Sequence, residues 1–277
     1  MSDSKDSGER RLRIAVPGAS GRMGRSIIRV IAETPSVELV SAIARQGSPF
    51  IGQDAGVLAG LPPLGVIVRH ELEDALLRAD VIIDFTAPMD TAVTATRAAG
   101  HDVAMVIGTT GLGEAEERAL LKAAEQIPIV RSSNMSLGVN VLFGLLKQAA
   151  RALGNDYDVE IVELHHRQKK DAPSGTALSM AQVVADALGR DLSAVGRYGR
   201  QGQVGARSES EIGVMAVRGG DIVGEHTAYF CGLGERIEIS HRASSRDTFA
   251  RGAVRAATWL QDRDPGLYDM QDVLGLR

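Results

Sequence analysis

Leu12-Arg-Ile-Ala-Val16-Pro-Gly18-Ala-Ser-Gly21-Arg-Met-Gly24 decides how the first half of this chain is read. Leu12–Val16 is a short, nearly all-apolar run, the pattern of a strand covered on both faces. Three glycines follow at Gly-x-x-Gly-x-x-Gly spacing, and residues Arg22–Glu33 then carry apolar side chains at helical spacing. Strand, glycine turn and helix in that order form one variant of the dinucleotide fingerprint. The glycines let backbone approach a pyrophosphate, and the helix N-terminus supplies N–H donors and positive dipole charge. A glycine-rich turn alone is a weak signal; its place between a strand and a helix gives it weight.

The alternation continues outward from that stretch. Further strands are expected at Val37–Ala44, Val66–Val68, Val81–Phe85, Val103–Ile107 and Ile127–Val130, with helices at Leu72–Arg78, Asp90–Ala99 and Glu114–Gln126. This is the signature of a parallel sheet flanked by helices. Arg45 to Gly65 reads as one long loop rich in Gly and Pro. After about Asn134 the pattern changes to a helix (Val139–Leu153), a strand (Val159–Leu164) and a helix (Thr176–Leu188). Three strands follow, Ile212–Val217, His226–Cys231 and Glu235–His241, separated by Gly219-Gly220-Asp221 and Gly232-Leu233-Gly234. Those tight turns predict antiparallel hairpins. A last helix, Arg246–Leu260, is expected behind the N-cap candidates Ser244-Ser245. The expectation is an α/β dinucleotide-binding domain over 12–134 and 244–277, interrupted by an α+β mixed-sheet domain over 135–243. Residues 1–11 read as a frayed polar tail rather than a signal peptide.

Composition narrows the function classes. The 277 residues are 44% hydrophobic, ample for a buried core, and 24% charged. With 31 Lys+Arg against 35 Asp+Glu the formal charge is -4, and aromatics make up only 4%. A general nucleic-acid binder would carry a basic face and stacking aromatics, so no nucleic-acid partner is expected. Apolar runs stay below the ~18 residues of a membrane span, so no membrane partner is expected either. Cys231 is the single cysteine, which leaves no thiolate metal cluster and fits a reducing, cytoplasmic compartment.

Four constellations can carry chemistry. Gly18–Gly24 is the first. The second is Ala42-Ile43-Ala44-Arg45, where an acid would hold the ribose hydroxyls of NADH and an Arg accommodates a 2′-phosphate; here Ala44 precedes Arg45. A solvated surface Arg is the plain alternative. The third comprises strand-end loops: Phe85-Thr86-Ala87-Pro88, Gly108-Thr109-Thr110-Gly111 and Ser132-Ser133-Asn134-Met135. Ligands of open α/β sheets sit beyond strand carboxyl ends, although Thr109 and Thr110 could equally cap a helix. The fourth is Glu163-Leu-His165-His166-Arg-Gln-Lys169-Lys-Asp171-Ala-Pro-Ser174-Gly175-Thr176. Lys and His beside a helix N-terminus suit a carboxylate. A metal site is not expected, because in a strand His165 and His166 point to opposite faces and no Cys or paired acids support a cage. A solvated strand-to-helix loop is the bland reading.

Together with Asp84-Phe-Thr86, Asn134 to Asn140, Gly220-Asp-Ile-Val-Gly-Glu-His-Thr227 and His241-Arg-Ala-Ser-Ser245, these blocks resemble the dihydrodipicolinate reductases in order, from about Leu12 to the C-terminus. The resemblance implies a Rossmann-like N-terminal domain, a mixed-sheet domain for substrate and oligomerisation, and a homotetramer. It implies NAD(P)H-dependent reduction of 4-hydroxy-tetrahydrodipicolinate in lysine and diaminopimelate biosynthesis. Carried over residue by residue, Gly18, Ala19, Ser20, Gly21, Arg22, Met23, Gly108, Thr109, Thr110, Ser132, Ser133, Asn134 and Met135 line the dinucleotide. Arg45 faces the adenosine 2′-phosphate, so NADPH is preferred over NADH. His165 and Lys169 match the proton-delivering pair, and His166, Gly175 and Thr176 match residues that bind the cyclic dicarboxylate. Two positions depart from the pattern: Ala44 replaces a frequent acid, and Met135 stands where a Phe can occur. An amino-acid dehydrogenase acting on an acyclic, aspartate-like substrate would share the fingerprint without needing the 165–176 segment. A nucleotide-sensing regulator would lack the His165/Lys169 pair.

Overall fold

The computed structural model of the protein describes residues 10–245 and 247–276. Most of the expected tail, residues 1–9, and Arg246, the first residue of the expected last helix, lie outside them. In chain order the structure begins with β1 (Leu12–Pro17), α1 (Arg22–Glu33), β2 (Val37–Ile43), α2 (Ala55–Leu58), β3 (Val68–Arg69) and α3 (Leu72–Arg78). It continues with β4 (Val81–Asp84), α4 (Pro88–Ala99), β5 (Ala104–Ile107), α5 (Glu114–Ala124) and β6 (Pro128–Arg131). A second compact unit, Ser136–Thr248, contains α6 (Leu137–Leu153), β7 (Asp158–His165), α7 (Gly175–Leu188), α8 (Leu192–Val195) and β8 (Gly196–Arg197). It ends with β9 (Ile212–Arg218), β10 (Gly224–Cys231) and β11 (Arg236–Ala243). From Phe249 to Val273 the chain belongs to the first unit again, through α9 (Asp247–Leu260), β12 (Gly266–Tyr268) and α10 (Met270–Val273).

The first unit is a seven-stranded sheet in the order β12-β6-β5-β4-β1-β2-β3, parallel throughout. Ala15, Ile82, Met105, Ile107 and Ile129 share one apolar cluster with Ala75, Ala95, Ala98 and Leu120 of α3, α4 and α5. Their strand neighbours Ile14, Val16, Ile83, Val106 and Val130 point the other way and are equally buried. Both faces are therefore covered, which is why these strands are apolar runs without alternation. An ion pair between Glu33 of α1 and Arg251 of α9, 2.8 Å, joins two of the covering helices. Strand order runs outward in both directions from the β1/β4 pair, so the winding reverses there. Open α/β sheets form their ligand crevices at such a point.

The expected 45–65 loop contains α2, because Asp54 accepts the N–H groups of Gly56, Val57, Leu64 and Gly65 and so staples both ends of a short turn of helix.

The second unit holds a five-stranded sheet in the order β11-β10-β7-β9-β8. Here one expectation fails. Only β10 and β11 form an antiparallel hairpin, closed by Gly232-Leu233-Gly234 with the Gly232 N–H on Glu235 O at 2.9 Å. β9 pairs with β7 instead, and in parallel. α7 lies between β7 and β9 in the chain, and a parallel pair needs such a crossover. The glycines at 219–220 are thus no hairpin turn. They carry the chain past the end of β7, where the Gly219 N–H donates to His165 O at 2.9 Å. β7 alternates buried and half-buried along its length, with Val159 and Ile161 packed against Leu142 and Leu146 of α6 and Met180, Ala181 and Val184 of α7.

Candidate functional site

In the first unit the predicted residues cluster beyond the strand carboxyl ends. β1 ends at Pro17, and Gly18 turns the chain at φ +69°. A Cβ on Gly24 would lie 2.3 Å from Gly18 O and 2.7 Å from Ala19 Cα, so only glycine lets α1 begin this close to the turn. Gly21 is the N-cap of α1 and has no side chain to occupy its first-turn N–H groups, which leaves them for an anion. Ala19 is buried, with its N–H on Ile43 O at 2.9 Å; Ser20 and Met23 are half-buried and Arg22 is exposed. Arg45, two residues beyond β2, is exposed, and among the described residues no ion pair engages its guanidinium. This donor set fits a dinucleotide phosphate.

The neighbouring strand ends are tied together by one polar chain. Asp84, fully buried at the end of β4, accepts the Thr86 N–H at 2.8 Å and the Thr86 hydroxyl at 2.6 Å on Oδ1. Its Oδ2 is buried without a partner, and burial pushes the carboxyl above the usual carboxylate range. Thr86 meets Thr91 at 3.3 Å, and Thr91 donates to Thr109 at 2.8 Å, reaching the Gly108–Gly111 loop. A Cβ on Gly108 would fall 2.1 Å from the Phe85 ring, so this glycine is a packing requirement. Thr109 is buried and Thr110 exposed. Ser132 bonds Asn134 O at 2.8 Å, Ser133 is exposed and Asn134 half-buried. The Met135 side chain is fully buried, and its carbonyl lies where a Cβ on Gly252 would come within 1.7 Å; the thioether therefore serves the core.

In the second unit the face of β7 that is apolar at Val159 and Ile161 turns polar at Glu163 and His165. Glu163 is fully buried and accepts four hydrogen bonds. Arg218 Nη1 and Nη2 grip its two oxygens at 2.8 Å each, His165 Nδ1 lies 2.5 Å from Oε2, and the Ser174 N–H reaches Oε1 at 3.0 Å. Burial works to raise this carboxyl, but Arg218, His165 and the Ser174 N–H hold it below the usual range. His165 titrates below the ordinary 6.5, chiefly through burial, with Lys169 and Arg218 adding to that and Glu163 opposing it. A second ring, His226, stands edge-on to His165 at 5.2 Å. It is bonded through Nε2 to Ser174 Oγ at 3.1 Å and pushed down to about 4 by burial. His166, just past the end of β7, is half-buried, and Lys169 Nζ forks onto both oxygens of Asp171 at 2.9 and 2.8 Å. Ser174 caps α7 through the Ala177 N–H, and Gly175 and Thr176 form the first turn.

Residues 12–135 match the family model described as dihydrodipicolinate reductase, N-terminus, and residues 138–274 match the one described as dihydrodipicolinate reductase, C-terminus. The chain belongs to the dihydrodipicolinate reductase family. Its relatives include the 4-hydroxy-tetrahydrodipicolinate reductase of Alkalilimnicola ehrlichii, 57% identical over 95% of this chain and 99% of that one. Another, of the same name, from Syntrophotalea carbinolica, is 54% identical over 96% of this chain and 100% of its own. The fold is shared with the dipicolinate-bound dihydrodipicolinate reductase of Paenisporosarcina sp. TG-14 (TM-score 0.77, 24% identity, 95% of this chain and 99% of that one).

In this family member the structure brings His165 next to three groups that sequence reading gave no role: Glu163, Arg218 and His226. Glu163 had a legible signal, since residues two apart on a strand share a face. Arg218 and His226 arrive from β9 and β10; His226 lies in the Gly220–Thr227 block, but nothing there pairs it with His165, and nothing local marks Arg218. Thr91 was missed in the same way, and Asp84, although in the Asp84–Thr86 block, had no sign of its role as the buried support behind Thr86.

Proposed function

We propose that the protein reduces 4-hydroxy-tetrahydrodipicolinate to tetrahydrodipicolinate with a reduced nicotinamide dinucleotide, in lysine and diaminopimelate biosynthesis. Support comes from the two relatives of that name, matched over nearly their whole length at 54% and 57% identity. In the site, the observation that carries the reading is the buried Glu163 carboxylate gathering His165, Arg218 and the start of α7. A bound nicotinamide supplies the hydride. The substrate loses its hydroxyl as water, one double bond takes up the hydride, and a proton must follow.

His165 is the main donor of that proton and Lys169 assists while pairing with a substrate carboxylate. Gly224 carries no side chain, and a Cβ there would come within 3.0 Å of His165 Nε2, so that nitrogen stays uncovered. The Lys169–Asp171 pair is partly exposed, with the Asp171 side chain 64% accessible, and such pairs are worth only about 0–1 kcal/mol. Exchanging Asp171 for a substrate carboxylate therefore costs Lys169 little. Gly175 and Thr176, in the first turn of a 14-residue helix whose dipole favours an anion, bind the second carboxylate together with His166. Gly175 has open space where a Cβ would be.

NADPH is preferred and NADH accepted, since Arg45 is available for a 2′-phosphate and Ala44 offers the ribose no charge. The assembly is a homotetramer built on the second unit. Val162, Leu164, Met215, Val217 and Tyr229 are only half-buried or exposed on its sheet, and symmetric association is the usual cover for such a surface. The working compartment is the cytoplasm; among the described residues no helix is long and apolar enough to cross a membrane.

The test follows nicotinamide absorbance with the reduced dinucleotide and the freshly made cyclic substrate, with the oxidised dinucleotide and aspartate, and with each dinucleotide alone. Oxidation with the cyclic substrate alone supports the reading. Reduction of the oxidised dinucleotide by aspartate selects the acyclic amino-acid dehydrogenase, and no change with either selects a nucleotide-binding regulator.

A further inference from the structure

We propose that Glu163 is the positioning residue of the second unit's site: clamped by Arg218, it holds His165 as the Nδ1–H tautomer with Nε2 presented, and through the Ser174 N–H it locks the start of α7 in register with that ring. The roles of His165 and α7 in catalysis rest on the proposed reductase function; the geometry of the clamp does not.

Four observations carry the inference. Glu163 is fully buried, next to the apolar Val159 and Ile161 on its face of β7, where a carboxylate persists only if its lone pairs are filled. They are filled: two by the parallel fork of Arg218, one by His165 Nδ1 and one by the Ser174 N–H. Arg218 is itself fixed, by Val217 O at 2.7 Å and Asp171 O at 2.6 Å. A carboxylate so held accepts but does not donate, so the hydrogen between it and His165 sits on Nδ1 and the free lone pair on Nε2. Finally, the bare Cα of Gly224 borders Nε2, the edge left for a ligand.

One carboxylate thus serves two parts of the site. Its Oε2 orients the proton-carrying ring and its Oε1 holds the backbone that opens the carboxylate-binding helix turn. Sliding either part relative to the other would break a charge-assisted hydrogen bond in a buried place. The charged and titratable groups facing His165 are Glu163 from its own strand, Arg218 from β9, His226 from β10 and Lys169 from the loop before α7.

The direct experiment is the ring 15N spectrum of the full-length, histidine-labelled protein at about pH 8, where the imidazoles are neutral. His165 is assigned by the resonances that vanish in His165→Ala. The proposal expects Nδ1 protonated and Nε2 bare; an Nε2–H tautomer, or an even mixture, overturns it. Glu163→Gln supplies the second readout. It should lower kcat about 10- to 100-fold, part of the ~10²–10⁴ that a positioned general acid contributes. The pH at which activity falls should also move down, because the carboxylate's support for the imidazolium is gone. NADPH affinity should stay within about twofold. A folded Glu163→Gln enzyme with unchanged kcat and pH profile overturns the proposal. If that variant does not fold, the wild-type spectrum decides alone. A wild type that fails to turn over the cyclic substrate counts against the reductase function and leaves the tautomer result standing.

Discussion

In the first unit, β1, β4, β5 and β6 are buried on both faces, and what reaches beyond them is backbone: the turns Gly18–Gly24, Gly108–Gly111 and Ser132–Asn134. In the second unit, β7 alternates, and its covered face delivers side chains, Glu163 and His165, into a buried network of charges. A site made of turns depends on side chains being absent at a few positions and is indifferent to most charges nearby. A site made of a charge network depends on every partner being present and in one protonation state. The same kind of perturbation should therefore act differently on the two units.

The largest contrast is in turnover. His165→Ala should lower kcat by roughly 10²–10⁴ with the cyclic substrate, the range of a general acid, while NADPH binding is retained. Steady-state kinetics with a parallel NADPH titration checks both, and near wild-type kcat would remove His165 from the mechanism.

Acid comes next, and it should separate the units. The folded His226 titrates at about 4, against 6.5 for a free ring. The stability of its neutral form is complete above 6.5 and is lost as the pH falls from there towards 4, by about 3 kcal/mol. Glu163 and Glu160, both held low, add to the loss at still lower pH. Asp84 of the first unit has the opposite sign: its pKa is raised, so its contribution is present in acid and lost as the pH rises through the folded value. Native-state hydrogen exchange should show opening free energies of β7 and β10 falling between neutral and mildly acid pH more than those of β4 and β5. Equal losses would break the contrast.

One substitution made in both units sharpens it further. Gly24→Ala drives a Cβ into Gly18 O and should cost about 1–3 kcal/mol, as overpacking does. Gly175→Ala meets open space in the first turn of α7 and should leave the melting temperature unchanged or raise it. Thermal unfolding of the two variants decides.

The smallest effect is expected at Arg45, which is exposed. Arg45→Ala should cut the NADPH-to-NADH ratio of kcat/KM by roughly fivefold, about 1 kcal/mol for a solvent-screened contact with phosphate. An unchanged ratio would return Arg45 to the surface.

How far the sequence could be read follows the same division. α1 and α3 were legible to the residue, because amphipathic periodicity and glycine turns are local signals. The partner of β9 was not, since hairpin glycines look alike whether they close a hairpin or carry the chain past another strand. The edge strand β12 is three residues long and carries too little pattern to be found. In the site, the glycine loop and the 163–176 segment stood out because their groups are contiguous. Arg218 and Thr91 could not, and the place of His226 beside His165 could not, being set by tertiary pairing. Met135 shows the limit from the other side: a residue beside a candidate loop whose side chain belongs to the core.

The central claim, that the dinucleotide belongs to the turns of the first unit and the dicarboxylate to the charge network of the second, is open to one direct measurement. Backbone amide spectra of the labelled protein, titrated separately with NADPH and with dipicolinate, map each ligand onto the chain. NADPH should shift amides over 18–24, around Arg45 and over 108–111, and dipicolinate those over 165–176 and at Arg218. NADPH perturbing the 165–176 segment while leaving Gly18–Gly24 untouched, or dipicolinate doing the reverse, would contradict it.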